Sequence, residues 1–342
     1  MPQREAIVIG AGLGGLVCGR ILSGSGWQVT LLEQGSQPGG ALQTFVRDGT
    51  RFDTGFHSVG GLGPGEALER FFRPLGLTEL PWQRMEPDEL VGCSEAFLRL
   101  SSGWEEEREH VLAPYRQSVW RLAGGGKTLC DALAAGQRIL LRKKVTAIGE
   151  RCVCCADGSS YRADVIVSGL HPLATLQLVR VPLRPAYRHR IEKMKNGPGI
   201  FTVYAKLRPG TLPWLNRDIF LHDEVMIHFG EADAGGFAVS LDLLSFATPE
   251  CTAERLIRTA AERLPGLPDI IEKYWTSTPR TWERFTGTPG GSAYGIEKRA
   301  QSDYLSPRTP LPWLYLTGQN LGLHGILGTT VSAFNTCKSI EP

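Results

Sequence analysis

The residues whose types and spacing could do chemistry begin near the N-terminus. Gly10, Gly12 and Gly15 set out G-x-G-x-x-G directly after an apolar run of strand length, Ala6 to Ile9. In such a pattern the first glycine allows a tight strand-to-helix turn and the second lets the backbone approach a pyrophosphate. The third lets the following helix pack closely on the sheet. That helix is predicted over about Gly14 to Ser23, with its amide-rich, dipole-positive start facing the phosphates. A second apolar run, Gln28 to Leu32, delivers Glu33 about twenty residues past the glycines, where a carboxylate can accept ribose hydroxyl hydrogen bonds. Strand, glycines, helix, strand and acid arrive in order, and together they predict a dinucleotide site.

Other reactive residues carry no comparable pattern. There is no Ser/His/Asp constellation at recognisable spacing and no carboxylate pair placed by a motif, which argues against a hydrolase. Lys127 follows three glycines but does not make a P-loop, because position 121 is arginine where that motif needs glycine. Cys152, Cys154 and Cys155 precede an Asp157-Gly158 turn and have no second Cys/His cluster at ligand spacing. They read as a hairpin strand, and no metal site is expected. His222 and His228 lie six apart on an expected strand, Asp218 to His228, which would put them on one face. Without a third ligand in register they are expected to be surface or packing histidines. His171, before Pro172, is expected to cap or pack at a helix start.

The elements that must position the dinucleotide site belong to a chain of 342 residues, 42% hydrophobic and 21% charged, which suits two interleaved domains. A net charge of +2 gives no face-wide basic excess, so no nucleic-acid partner is expected. Eight cysteines in this length are not a secreted disulfide scaffold. With the first strand starting at about Glu5 and no run of membrane-span length, a cytoplasmic location is expected, with peripheral membrane contact left open.

Helical periodicity is predicted from Glu66 to Leu75, closed by Gly76, and again from Lys127 through Ala135. Trp104 to Glu109 reads as a solvated helix face. Gln137 to Leu141 is predicted as the next parallel strand. Lys143 to Ile148, Arg151 to Ala156 and Ser160 to Arg162 read as an antiparallel meander, and Asp164 to Ser168 as a buried strand. From Leu183 to about Pro310 alternating strands replace βα units. Ile200 to Lys206, Asp218 to His228 and Gly236 to Ser245 suit one antiparallel sheet, and Thr252 to Leu264 suits an amphipathic helix. Leu314 to Leu316 reads as a strand and Gly325 to Cys337 as a helix.

Three segments carry a family resemblance. Glu33 to Gly40 followed by Phe52-Asp53-Thr54-Gly55 resembles the FAD-binding N-terminus of the phytoene desaturase, carotenoid isomerase and retinol saturase flavoproteins, within the amine-oxidase-like superfamily. Leu314 to Gly318 with Gln319 to Gly328 resembles their C-terminal flavin-contact segment, and Trp120 to Gly126 resembles the glycine run that opens the returning half of their FAD domain.

The resemblance implies an α/β fold in which a Rossmann-like FAD-binding domain, a parallel sheet with a β-meander, is interleaved with an α+β substrate domain on an antiparallel sheet. The FAD domain would comprise residues 1–60, 118–182 and 311–342, and the substrate or cap domain residues 61–117 and 183–310, shortened relative to the family. Implied FAD contacts are Gly10, Gly12, Leu13, Gly14, Gly15, Glu33, Gln34, Gly40, Ala41, Leu42, Gly55, Val145, Gly318, Gly325, Ile326 and Leu327. Val145 would hold the adenine through its backbone. Ala41 stands where many relatives carry arginine. His57, Tyr294 and His324 are the residues expected near the reacting atoms, and Thr288 to Gly295 resembles a loop that approaches the flavin pocket. The start of the C-terminal helix would stabilise negative charge on the reduced flavin.

The implied function is FAD-dependent desaturation, saturation or isomerisation of an apolar unsaturated substrate of carotenoid, retinoid or isoprenoid type. Oxygen, a quinone or another protein would serve as electron partner. Two alternatives stand beside it. One is an amine oxidase for a small amine, whose aromatic cage Tyr294 and Trp313 could supply. The other is a non-catalytic flavin-binding protein, or a subunit that needs a partner to close its site.

Overall fold

The computed structural model describes residues 3–93, 118–298 and 300–341. The expected helix face at residues 104–109 lies outside them.

Five parallel strands form the central sheet, in the order Leu314–Leu316, Val165–Ser168, Glu5–Ile9, Gln28–Leu32, Arg138–Leu140. Parallel sheets are covered on both faces, and their strands therefore read as continuous apolar runs such as AIVI and VIVS. Alternation divides the two faces. Ala6, Val8, Leu31 and Val167 point to the side covered by the helices Leu13–Gly24, Gly125–Ala134 and Gly325–Ile340, where Leu16, Leu129 and Leu327 complete a core. Ile7, Ile9, Leu32 and Ile166 point to the other side, against Val145, Ile148 and Val153 of the antiparallel meander Val145–Gly149, Cys152–Cys155 and Ser160–Arg162.

The second large sheet has six strands, in the order Ile271–Ser277, Ile200–Leu207, Ser240–Phe246, Val225–Phe229, Ile219–Leu221, Glu89–Val91. Its pairings are antiparallel except the last. One face buries Val203, Leu243 and Ile227 beneath the helix Ala253–Ala261, whose N-cap Thr252 accepts from the Arg255 N–H at 3.2 Å. The opposite face, carrying Tyr204, Asp242, Leu244, Met226 and His228, turns toward the segment after the strand Thr50–Asp53, where the Tyr204 hydroxyl reaches the Thr54 carbonyl at 3.5 Å.

Two sequence expectations are corrected here. Asp218 to His228 is not one strand. Ile219–Leu221 and Val225–Phe229 form a hairpin whose central turn residues, His222 and Asp223, have φ of 53° and 60°, and the Glu224 N–H donates to the Leu221 carbonyl at 2.9 Å. Positive φ at both central positions matches the right-handed strand twist, which is why such a turn can reverse the chain within two residues. His222 and His228 consequently do not share a face. His222 sits in the turn with Nε2 2.8 Å from Glu262, while His228 is buried against Asp218.

The edge strand Ile271–Ser277 and the helix Pro279–Thr286 were not legible as elements. The strand is mostly solvent-facing and polar, so it lacks apolar alternation, although the helix has a Thr278/Thr281 capping box. His171 behaves as expected, its Nδ1 accepting from the Leu173 N–H at 3.2 Å to cap the helix Pro172–Leu178.

Candidate active site

A cavity of about 690 Å³ runs from the glycine turn of the parallel sheet to the inner face of the six-stranded sheet. Its first end is built by the fingerprint. Gly10 has φ of +89°, a conformation that a side chain resists, and it turns the chain from strand into helix. At Gly15 a Cβ would collide with the Gly10 carbonyl oxygen, so only glycine lets the helix start this close to the strand. The chain ends meet here as well, since a Cβ on Gly14 would lie 3.0 Å from Gly318 Cα.

The arrangement fits a dinucleotide on three structural grounds. The helix Leu13–Gly24 has Gly12 as N-cap, no side-chain cap and no acid in its first turn, and Gly12 to Gly15 line the cavity. Its unsatisfied amides therefore face space suited to phosphate oxygens. Glu33 is buried, with Oε2 accepting from the Ala11 N–H at 2.8 Å and Oε1 from the Gly35 N–H at 2.7 Å. Two backbone amides hold the carboxylate rigid and leave lone pairs for ribose hydroxyls. Thirdly, the long helix Gly325–Ile340 begins at the same cavity with His324 as N-cap, again with no side-chain cap and no first-turn acid.

The remaining predicted residues fall along this path. Gln34 and Val145 line the far end beside Lys143 and Lys144. Gly40, Ala41, Leu42 and Gly55 line the middle, where Gly39 is tied by its N–H to the Ala11 carbonyl at 2.7 Å. Gly318, Gly325 and Ile326 line the wall given by the C-terminal segment. Leu327 is the exception. It is 1% exposed, packs in the helix-side core and does not reach the cavity, because one residue further along the helix turns the side chain inward.

His57, Tyr294 and His324 all line the cavity. The rings of Tyr294 and His324 meet edge to face, with centroids 4.6 Å apart. The loop carrying Tyr294 also contributes Thr288, Ser292 and Ala293 to the wall. Trp313 does not join Tyr294 in a cage. It is buried with Ile7, Ile166 and Leu314 on the meander side of the sheet.

His57 is the buried member of the three. Its Nε2 lies 3.5 Å from Asp242 Oδ2, and its ring stands edge to face with His228 at 4.9 Å. Burial by itself would lower the His57 pKa, but the Asp242, Asp218 and Asp53 carboxylates together outweigh it and raise it. His228 goes the other way, because burial outweighs the pull of Asp218. Asp53 is pushed up to about 6, chiefly by burial, against the opposing hydrogen bond it accepts from the Gly126 N–H at 2.7 Å.

Asp218, Asp242 and His228 were not singled out as site residues in the sequence. The available signal was Asp242 itself, an acid inside the apolar strand SLDLLSF, since a buried acid needs a reason to be there. Trp282 and Phe285, which close the cavity from the helix Pro279–Thr286, had no such signal.

Fold and cavity define a dinucleotide-binding α/β architecture. A family profile described as flavin containing amine oxidoreductase matches residues 64–254, and one described as an NAD(P)-binding Rossmann-like domain matches residues 8–75. The chain belongs to the flavin-containing amine oxidoreductase family, and its cofactor is FAD.

Among curated relatives, all-trans-retinol 13,14-reductase of Rattus norvegicus is 36% identical over 86 residues, 25% of this chain and 14% of that protein. The neurosporene-forming phytoene desaturase of Cereibacter sphaeroides is 44% identical over 51 residues, 15% of this chain and 10% of that protein. Each match thus spans a small part of the relative's own length. Wild-type putrescine oxidase bound to putrescine superposes with a TM-score of 0.70 at 15% identity over 99% of both chains, a likeness of fold.

Proposed function

We propose that this flavin oxidoreductase acts on an apolar unsaturated substrate, by desaturation, saturation or isomerisation. The observation that carries the reading is the second arm of the cavity. Beyond Gly55 it is walled by Ile200, Phe220, Met226 and Leu244 from the six-stranded sheet and by Trp282 and Phe285 from the helix Pro279–Thr286. Such a wall gains free energy by removing a hydrocarbon from water, with Asp223 and Glu224 lining the cavity at the hairpin turn beside it. The partial similarities to retinol reductase and phytoene desaturase lean the same way.

Bound FAD supplies hydride exchange, and the chain supplies position and electrostatics. Glu33 would hold the ribose end, the uncapped start of the helix Leu13–Gly24 would hold the pyrophosphate, and the start of the C-terminal helix would favour negative charge at the reacting end. The sheet face and Trp282 exclude water and align the hydrocarbon along the cavity. Oxygen, a quinone or a redox protein completes the electron balance.

The test is anaerobic reduction of the FAD-loaded protein, followed at the flavin absorbance, with all-trans-retinol, phytoene and putrescine offered in turn. Bleaching by a polyene, or oxidation of prereduced protein by one, supports the reading. Bleaching by putrescine alone overturns it in favour of an amine oxidase. A protein that binds FAD and exchanges electrons with none of the three, even at high concentration, points to a binding protein.

A further inference from the structure

Beneath the apolar arm, the same sheet face carries polar groups that a hydrocarbon wall does not need. His228 and Asp242 are cross-strand neighbours, Asp218 stands just before the strand Ile219–Leu221, and His57 reaches them from the segment after Gly55. Asp218 is fully engaged, accepting from the Ser58 hydroxyl at 3.1 Å and lying 2.7 Å from His228 Nδ1. His57 Nε2 and the second oxygen of Asp242 are different. Among the described residues both are buried with no hydrogen-bond partner, and the 3.5 Å approach of Nε2 to Asp242 Oδ2 links them. A buried imidazole and carboxylate left in this condition cost free energy in the resting protein, which calls for a reason outside packing.

From this geometry we propose that His57 is a catalytic residue that exchanges a proton with the substrate through Nδ1, and that Asp242, His228 and Asp218 are positioning residues that hold its charge. The inference rests on reading the cavity as an FAD and unsaturated-substrate site. In a saturation, bound FAD would supply a hydride, with both electrons, to one carbon of the double bond, and protonated His57 would give its Nδ1 proton to the adjacent carbon, whose new C–H bond takes the π electron pair. Desaturation is the reverse and needs neutral His57, whose Nδ1 lone pair would take the proton while the C–H electron pair becomes the double bond. With Nε2 turned to Asp242, Nδ1 is the nitrogen left for the cavity.

The surrounding charges suit that task. Two imidazoles 4.9 Å apart cannot both be charged cheaply in a buried site, and the environment raises the pKa of His57 while it lowers that of His228. Asp53 faces His57 from the strand Thr50–Asp53, with Arg51 next to it. Arg121 stands behind Asp218 and donates to the Phe229 carbonyl at 3.1 Å, Asp88 lies beyond Asp218 at the surface, and Tyr204 faces Asp242 across the sheet. The carboxylates outnumber the fixed cations, so the cluster favours the protonated form of His57, the form that donates in saturation.

The experiment uses the FAD-loaded protein with ¹⁵N-labelled histidine. The His57 imidazole is titrated by NMR in the wild type and in Asp242→Asn, with Asp242→Glu as the conservative rescue and a melting curve on each to confirm folding. Protons taken up on anaerobic photoreduction of bound FAD are then measured with an indicator dye, in the wild type and in His57→Gln. The His57 midpoint is expected to fall in Asp242→Asn and recover in Asp242→Glu, and the pH dependence of proton uptake to change in His57→Gln. With the polyene that bleaches the flavin, His57→Gln should slow reduction by about 100-fold. An unmoved His57 midpoint together with unchanged uptake overturns the proposal while leaving the FAD site intact. Failure to bind FAD overturns the functional reading and this one with it.

Discussion

Gly15 leaves no room for even a methyl group. A Cβ there meets backbone, the Gly10 carbonyl, so nothing flexible can yield. Gly15→Ala is expected to destabilise the protein by about 2–4 kcal/mol and to abolish FAD retention, checked by thermal melting and flavin absorbance. Glu33 is legible for a similar reason, since a single acid at the end of the second strand holds two backbone amides. Each charge-assisted hydrogen bond is worth about 1.5–3 kcal/mol, so Glu33→Ala should weaken FAD binding at least ~10-fold, measured by quenching of flavin fluorescence. Asp53 gives a pH signature. Its pKa in the folded chain is about 6, raised from 3.8, so the folded state binds the proton more tightly than the unfolded one. That contribution is fully present below about pH 4 and is lost as pH rises through 6. Asp53→Asn should remove it, so that denaturant titrations show the variant gaining on the wild type by about 1 kcal/mol between pH 5 and pH 8. The glycines and Glu33 could be read from the chain because their geometry is local. The His57 cluster could not, because residues 57, 218, 228 and 242 meet only when two sheets face one another.

At the scale of elements, the C-terminal helix starts without a side-chain cap and without an acid in its first turn, at the wall that Ile326 and His324 share with the cavity. Placing a carboxylate there opposes the positive end of the helix. Ile326→Asp is expected to make the bound flavin harder to reduce, lowering its midpoint potential by roughly 10–30 mV for a two-electron couple, measured against a reference dye. The same elements show what the sequence could and could not say. Glu5–Ile9, Gln28–Leu32 and Val165–Ser168 are buried on both faces and announce themselves as apolar runs. The hairpin at His222-Asp223 does not, because neither residue is glycine or asparagine and its turn conformation comes from the strands that it joins. Nor does Ile271–Ser277, an edge strand whose pairing with Ile200–Leu207 is set by a neighbour nearly seventy residues earlier in the chain.

At the scale of the molecule, the cavity that fits FAD runs along the seam between the two sheets, so FAD binding should report on both. Loaded protein at about 100 times the dissociation constant gains roughly 2.7 kcal/mol over the apoprotein, which should raise the melting temperature by several degrees in a concentration-dependent way. If stabilisation extends to the six-stranded sheet, amide hydrogen exchange at Ser240–Phe246 will slow on loading as well as at Glu5–Ile9. The strand order carries a further consequence, for the order in which the protein is made. The glycine turn precedes by far in the chain one flank of its own sheet, Leu314–Leu316, and the helix Gly325–Ile340 that packs against Leu13–Gly24. During synthesis the turn therefore exists with one wall missing until those residues have emerged, and a lesion that removes the helix leaves the apolar seam open to chaperones and proteases.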